Sequence, residues 1–422
     1  MENIENKIPN GENQDTQNSS FFSENVSSSN GLEAKFPLLR FRKFSHPWKQ
    51  EKLSNFTSRI MRKNSNNETE LPLTISSKDG LVDQVTFFNK KVSSKDMSGY
   101  YLLKNGEFAY NKSYSNGYDF GSIKRLERYE MGALSTLYIC FSLKKHCSDY
   151  IKHYFDSLKW YRQIYVISAE GARNHGLLNV PTDDFFATTH YLSPYMEEQQ
   201  KIANFLSLVD QRIEKQRQLV ESLKKYKRGY FQRIISSLET SSFELKNIVD
   251  EYNAKSKIQN EFPILSSTLS GIKLQNDYFN KQAASETTIG YKIVPFGYFT
   301  YRSMSDTGEF RFNLQNIIEK GIVSPAYPVF KVKEEYNAEF VEYILNETDN
   351  IKSQLLIKKE GGTRYALSFS KFQTLKIDLP IKNAQDKTVS QLRFINKVLT
   401  NEERILSNLQ KLKNGLLQQM FI

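Results

Sequence analysis

Two aligned stretches carry side chains suited to gripping another molecule. Tyr110-Asn111-Lys112, with Tyr114 close behind, groups an aromatic ring, an amide and a cation; Tyr301-Arg302 is its counterpart in the second half of the chain. An amide of this kind suits an adenine edge and a guanidinium suits a guanine edge, so Asn111 and Arg302 could make two related surfaces choose differently. A second pair follows a shared Glu-Gly: Arg173-Asn174-His175 after Glu170-Gly171, and Thr363-Arg364-Tyr365 after Glu360-Gly361. Glycine loops carrying arginine suit phosphate or base contact. Asn89-Lys90-Lys91 and Asn280-Lys281 suit phosphate contact, the second copy with one lysine fewer. Each stretch also has a plainer reading: a β-hairpin with Tyr110 and Tyr301 in the core, and ordinary surface loops.

Bond-breaking chemistry finds no comparable support. The sequence lacks the Asn/Asp-Pro-Pro-aromatic motif of adenine methylation and the GxxxxGK[ST] phosphate loop. Gly171-Ala172-Arg173-Asn174-His175-Gly176 is flanked by glycines but has no Lys-Ser/Thr pair. Acid–lysine groupings such as Asp250-Glu251 with Lys255 are too common to mark a nuclease. Cys140 and Cys147 fit no zinc spacing and no histidines cluster with them, so neither metal nor cofactor is expected.

The elements that must position these residues are organised around Pro194 to Ser236. Ile202, Leu206, Val209, Ile213, Gln216, Val220, Leu223, Lys227, Tyr230 and Ile234 follow a strict 4-3 spacing, which predicts a coiled-coil seam on one long helix. Pro380 to Ile422 repeats the stretch at a constant offset of 186, with Gln199/Gln385, Lys227/Lys413, Gly229/Gly415 and Gln232/Gln418 among the identities. Its own seam runs Thr388, Leu392, Ile395, Leu399, Glu402, Leu406, Leu409, Lys413, Leu416 and Met420. Two matching seams in one chain are natural partners.

The segments before the helices repeat as well. Leu71–Gly117 matches Phe262–Gly308 without a gap at an offset of 191, with 14 identities in 47 positions, where roughly 3 are expected from ordinary residue usage. Short segments broken by Gly, Asn and Ser predict strands at Leu71–Ser76, Val85–Phe88, Tyr100–Leu103, Phe108–Tyr110 and Leu137–Phe141, and Cys147 to Trp160 has helical spacing. The expected fold is mixed α/β (α+β): two tandem-duplicated globular domains joined by two long helices in an antiparallel coiled coil, with pseudo-two-fold symmetry. The expected boundaries are a disordered, polar tail at 1–35, a first domain at 36–193, the central helix at 194–240, a second domain at 241–379 and the C-terminal helix at 380–422.

Lysine and arginine total 58 against 47 acids, a net charge of +11, which favours a polyanionic partner, nucleic acid first. No apolar run approaches the roughly 18 residues that span a membrane, no signal-peptide core is visible, and a cytoplasmic location is expected. A seam of 33 residues is about 50 Å long, on the order of 15 base pairs of duplex. Two basic domains held that far apart suit a split, asymmetric double-stranded DNA target; the alternative is a coiled-coil protein–protein adaptor without DNA contact.

The start of the central helix, Leu-Ser-Pro-Tyr-Met-Glu-Glu-Gln-Gln-Lys-Ile-Ala (Leu192–Ala203) followed by Phe205-Leu206, resembles the helix-opening signature of type I restriction–modification specificity (S) subunits. Leu223-Lys224 through Gly229, the closing Lys413-Asn414-Gly415-Leu416-Leu417-Gln418-Gln419-Met420-Phe421, and the entry Pro37-Leu38-Leu39-Arg40-Phe41 with Trp48 are similar to that family's patterns. The resemblance covers Phe36 to Ile422. The second helix departs from it, with Asn383-Ala384-Gln385-Asp386-Lys387-Thr388-Val389 in place of Glu-Glu-Gln-Gln-Lys-Ile-Ala. The resemblance implies two target-recognition domains, each reading half of a split DNA sequence, and helices that set the gap and bind two methyltransferase subunits. A translocating restriction subunit would join the complex. S-adenosylmethionine, ATP and magnesium would belong to those partners, not to this non-catalytic chain. On this reading Tyr110, Asn111, Lys112, Tyr114, Arg173, Asn174, His175, Tyr301, Arg302, Arg364, Tyr365, Lys90 and Lys281 are the DNA-contact candidates. Glu198, Gln199, Lys201, Ile202, Phe205 and Leu206 are the candidates for docking the partner subunits. A role as specificity module for methylation alone fits equally.

Overall fold

The computed structural model describes residues 22–23, 34–90, 92–168, 178–275, 287–361 and 364–422. The expected tail, 1–35, lies outside them apart from 22–23 and 34–35. The chain is mixed α/β and forms two compact units, Met1–Gln216 with Ile405–Ile422, and Arg217–Arg404. Each unit therefore takes part of a central helix, Met196–Ser237, and part of a C-terminal helix, Lys382–Met420.

In the first unit an antiparallel sheet runs in the order Thr57–Arg59, Ile139–Leu143, Phe108–Asn111, Ser122–Arg125. The sheet is buried on both faces, so alternate residues serve different cores. Phe108, Tyr110, Ile139 and Phe141 face one core with Phe155, Trp160 and Phe185; Ala109 and Cys140 face another with Leu103 and Leu134. The second unit repeats the sheet in the same order: Val249–Glu251, Val329–Val332, Phe299–Thr300, Asn313–Leu314. Even the central ring pair recurs, Phe108 stacked on Phe141 at 5.5 Å and Phe299 on Phe330 at 5.0 Å. In each unit a hairpin follows the sheet's first strand in the chain, Pro72–Ser76 with Gly80–Asp83 and Leu265–Thr268 with Gly271–Leu274.

The expected strand at Val85–Phe88 is instead a helical turn, Gln84–Phe88. Its Val, Thr and Phe residues favour strands, but local capping overrides them. The Asp83 side chain accepts a hydrogen bond from the Val85 amide, and Asn89 ends the turn in the left-handed region at φ 51°.

All twenty seam residues of the two long helices are buried or half-buried. Within the first unit the helices run antiparallel: Ile202, Ala203 and Leu206 share a core with Leu417, Met420 and Phe421, and Lys413 lies 2.5 Å from Asp210. Within the second unit Phe231 shares a core with Val389 and Leu392, and Lys224 is 3.2 Å from Glu403.

The glutamines shared by the two helices explain how each helix is fastened. Gln199 accepts from the Cys147 amide at 2.9 Å and donates to the Ser193 carbonyl at 2.7 Å. Gln385 accepts from the Asn337 amide at 2.8 Å and donates to the Pro380 carbonyl at 2.7 Å. Cys147 and Asn337 are the N-caps of equivalent helices, Ser148–Asp156 and Ala338–Glu347. The opposite ends of those helices are held by the other shared pair: Gln418 donates to the Ser157 carbonyl at 2.7 Å and Gln232 to the Glu347 carbonyl at 3.0 Å. Backbone groups at helix ends have no partner within the helix, and here long-helix amides satisfy one at each end.

Candidate nucleic-acid interface

The central-helix motif turns inward. Glu198 is fully buried and receives both Nε and Nη2 of Arg40, at 2.6 and 2.9 Å, with the Ser193 hydroxyl at 2.5 Å. Gln199, Ile202 and Leu206 are buried too. This corrects the expectation that Glu198, Gln199, Ile202 and Leu206 face a partner subunit: a bidentate ion pair, two amide locks and two core aliphatics already occupy them. Phe205 is half-buried against Phe41 at 6.0 Å, and Lys201 is exposed with its ammonium 4.9 Å from the same ring.

Tyr110 and Tyr301 are core residues, a second correction. Both are completely buried. Tyr110 stacks on Phe185 at 5.0 Å and donates its hydroxyl to the Phe120 carbonyl at 2.8 Å. Tyr301 packs on Phe312 and Phe372 and donates to the Leu367 carbonyl at 3.1 Å. Burial pushes both phenols far above their ordinary pKa. Neither ring offers a face to a ligand; the shared tyrosine anchors the strand from which the following residues emerge.

In the first unit Asn111 is half-buried, and its Oδ1 accepts from the Ser113 amide at 2.9 Å, closing a tight turn. Gly121, at φ +78°, passes so close that a Cβ would overlap the Asn111 carbonyl oxygen. Lys112 is half-buried with its carbonyl on the Leu178 amide at 3.0 Å, while Tyr114 is 59% exposed on the loop. Lys90 is exposed just after the Gln84–Phe88 turn. Arg173, Asn174, His175 and Lys281, with Lys91 and Thr363, lie outside the described residues.

The second unit brings its candidates together. Met304–Ser305 pairs antiparallel with Tyr365–Ala366, Ser305 opposite Tyr365. This pairing carries Arg302 and Arg364 to one carboxylate: Arg364 Nε is 2.9 Å from Asp306 Oδ1, and an Arg302 Nη is 3.9 Å from Asp306 Oδ2. All three side chains are about half-exposed or more. Tyr365 carries the Lys359 ammonium 4.0 Å above its ring. In this unit's Glu-Gly, Gly361 sits at φ +107°, where a Cβ would overlap the Arg364 carbonyl oxygen. Arg302 and Asp306 also line a cleft of about 890 Å³, with Arg311, Gln275, Tyr291 and Tyr327 among its other walls. Sequence reasoning missed Asp306, Arg311 and Gln275. Gln275 carried a signal in its identity with Gln84 across the repeat; Asp306, opposite Ser115, carried none.

Solved structures share this fold, two of them from type I R-M systems. One is a chain from a study of complex assembly and conformational transition of the type I R-M system. It aligns with a TM-score of 0.52 at 14% identity, over 89% of this chain and 97% of that one. The other is the S subunit of a type I restriction-modification system from M. genitalium, with a TM-score of 0.50 at 13% identity, over 89% and 96%. No family model matches the sequence, and no curated protein matches it. No helix among the described residues is long and apolar enough to cross a membrane.

Proposed function

We propose that this chain is the DNA-specificity subunit of a type I restriction–modification complex, acting in the cytoplasm without catalysis of its own. Each unit reads one half of a split, asymmetric double-stranded site. The long helices set the gap between the halves and carry two methyltransferase subunits, and restriction subunits join through that complex. The observation that carries the reading is the same four-strand sheet order in two α/β units, each completed by part of both long helices, in a fold shared with a known S subunit. The net charge of +11 supports a duplex partner. Divergence supports unequal half-sites: a turn closed by Asn111 in one unit stands against two arginines on Asp306 in the other. Docking then falls on the exposed side of the helix start, at Gln200, Lys201 and Asn204, since Glu198, Gln199, Ile202 and Leu206 are buried within the unit.

Methylome sequencing of a host expressing the chain with its methyltransferase partner tests the reading. The expected result is a split adenine-methylated motif that disappears when this chain is removed. Methylation that does not change on its removal, together with a purified complex that binds DNA without sequence preference, would leave the adaptor reading in its place.

A further inference from the structure

We propose that Arg302 and Arg364, which meet at Asp306 beside the second unit's cleft, read a guanine in the half-site of that unit. The inference rests on the specificity-subunit reading and adds the base and the residues. Two guanidiniums 62 positions apart in sequence meet because one short strand pairing brings their loops together. Asp306 pairs closely with Arg364 at 2.9 Å and lies 3.9 Å from Arg302, and the two arginine side chains remain 50% and 48% exposed. A fixed guanidinium can present two parallel N–H groups to guanine O6 and N7, and a nearby carboxylate can accept from the amino group of the paired cytosine.

A bare phosphate fits the same place less well. Phosphate oxygens only accept hydrogen bonds, and Asp306 would repel them. The cleft instead offers donors and acceptors together. Gln275, nine-tenths buried in its lining, has an Oε1 with no hydrogen-bond partner among the described residues. Its repeat counterpart Gln84 has the same open acceptor, so the choice of a base over a phosphate rests on the carboxylate of Asp306 beside the two guanidiniums. In the first unit Asn111 and Ser115 stand at the positions aligned with Arg302 and Asp306.

The test uses the full chain in complex with its methyltransferase subunits, methylating a library randomised across both half-sites. The wild-type complex should yield a split motif with a guanine in one half. R302A, R364A and R302K should each relax that guanine by roughly 5- to 150-fold and leave the other half-site unchanged. R302K is decisive because lysine keeps the charge but loses the two-pronged geometry; it also serves if the alanine variants fail to fold. D306N should weaken the same position without creating a new preference. An unchanged motif in R302K, with R302A lowering affinity evenly and reducing the salt dependence by about one ion, would mark a phosphate contact and overturn the proposal. So would a wild-type motif without guanine at any position these variants alter. A wild-type complex with no split motif would instead remove the specificity-subunit reading itself.

Discussion

Lowering the pH from 7.5 to 5 should loosen the first unit and spare the second. All five histidines of the chain lie in residues 46–190, and the second unit has none. His153 and His190 are buried in the first unit. Burial is the main cause that brings His153 down to about 4; Asp210 pulls against it and Lys413 adds to it. Burial alone brings His190 to about 3, between the Tyr154 hydroxyl at 2.8 Å and the Thr188 hydroxyl at 2.9 Å. Folded, both stay neutral down to these values; unfolded, both take a proton near pH 6.5. The unfolded state thus binds more protons below 6.5, so stability falls as the pH falls through that window. At pH 5 each histidine has lost about 1.5 units, or about 2 kcal/mol, and the pair about 4 kcal/mol. That is a large part of a typical domain's stability. Carboxylates titrate lower. Burial would raise the Asp156 pKa, but Lys124 and Lys413 hold it below its ordinary value, so its loss comes after the histidine window. In the second unit burial raises the Glu342 pKa, which works in the opposite direction and favours that fold as acid is added. Hydrogen exchange resolved by segment, corrected for the intrinsic pH effect, should show reduced protection in Ser148–Asp156 and Thr189–Leu192 while Ala338–Glu347 keeps its own. Equal loss in both units, or an unchanged acid slope after H153Q and H190Q together, would refute the reasoning.

Two further outcomes follow from the helix locks, and one from the core tyrosine. Q199A and Q385A each strand a backbone amide at the N-cap of an equivalent helix, so each should cost about 1–3 kcal/mol in denaturant unfolding, the two losses being similar; a loss below about 0.5 kcal/mol in either would show that water replaces the lock. R40M leaves the fully buried Glu198 without its ion pair and should cost about 3–5 kcal/mol, whereas R40M with E198M should recover most of it; a double variant as unstable as the single would place the energy in packing. Y110F should cost only about 0.5–1.5 kcal/mol for the bond to Phe120 and should leave any methylated motif unchanged.

The fold was legible because its signals are periodic. The 4-3 seams marked the faces the long helices bury, and the constant offsets anticipated sheets of the same strand order. Val85–Phe88 misled because strand-favouring side chains sit between two caps, and capping is a property of single flanking residues rather than of a pattern. The site was less legible, for two reasons. Identity across the repeat does not by itself mark contact with a ligand: Tyr110/Tyr301, Gln199/Gln385 and Gln232/Gln418 are shared because both units need the same internal bonds. Asp306 and the meeting of Arg302 with Arg364 depend on a pairing between Met304–Ser305 and Tyr365–Ala366, two residues per strand, too short to leave a pattern.

The sequence repeat and the structural unit are also out of phase, and this bears on how stability and recognition are linked. In sequence each repeat is a globular segment followed by its helix. In structure the first unit is completed by Leu417, Met420 and Phe421 from the far end of the chain, with Phe421 6.1 Å from Trp48 and 5.3 Å from Tyr150. The second unit is completed by Phe231 from the end of the first repeat. Neither repeat contains a whole core. Removing 405–422 would therefore open the first unit, although its α/β segment lies more than two hundred residues upstream. The same exchange places a lysine from each helix end beside the other repeat's domain helix: Lys413 reaches Asp210 near His153, and Lys227 lies 5.1 Å over the Tyr343 ring. His153 and Tyr343 occupy equivalent places on their helices, so one position has become a titratable group in one unit and a neutral aromatic in the other. The two units thus differ in their response to acid at the point where each depends on the other repeat's helix.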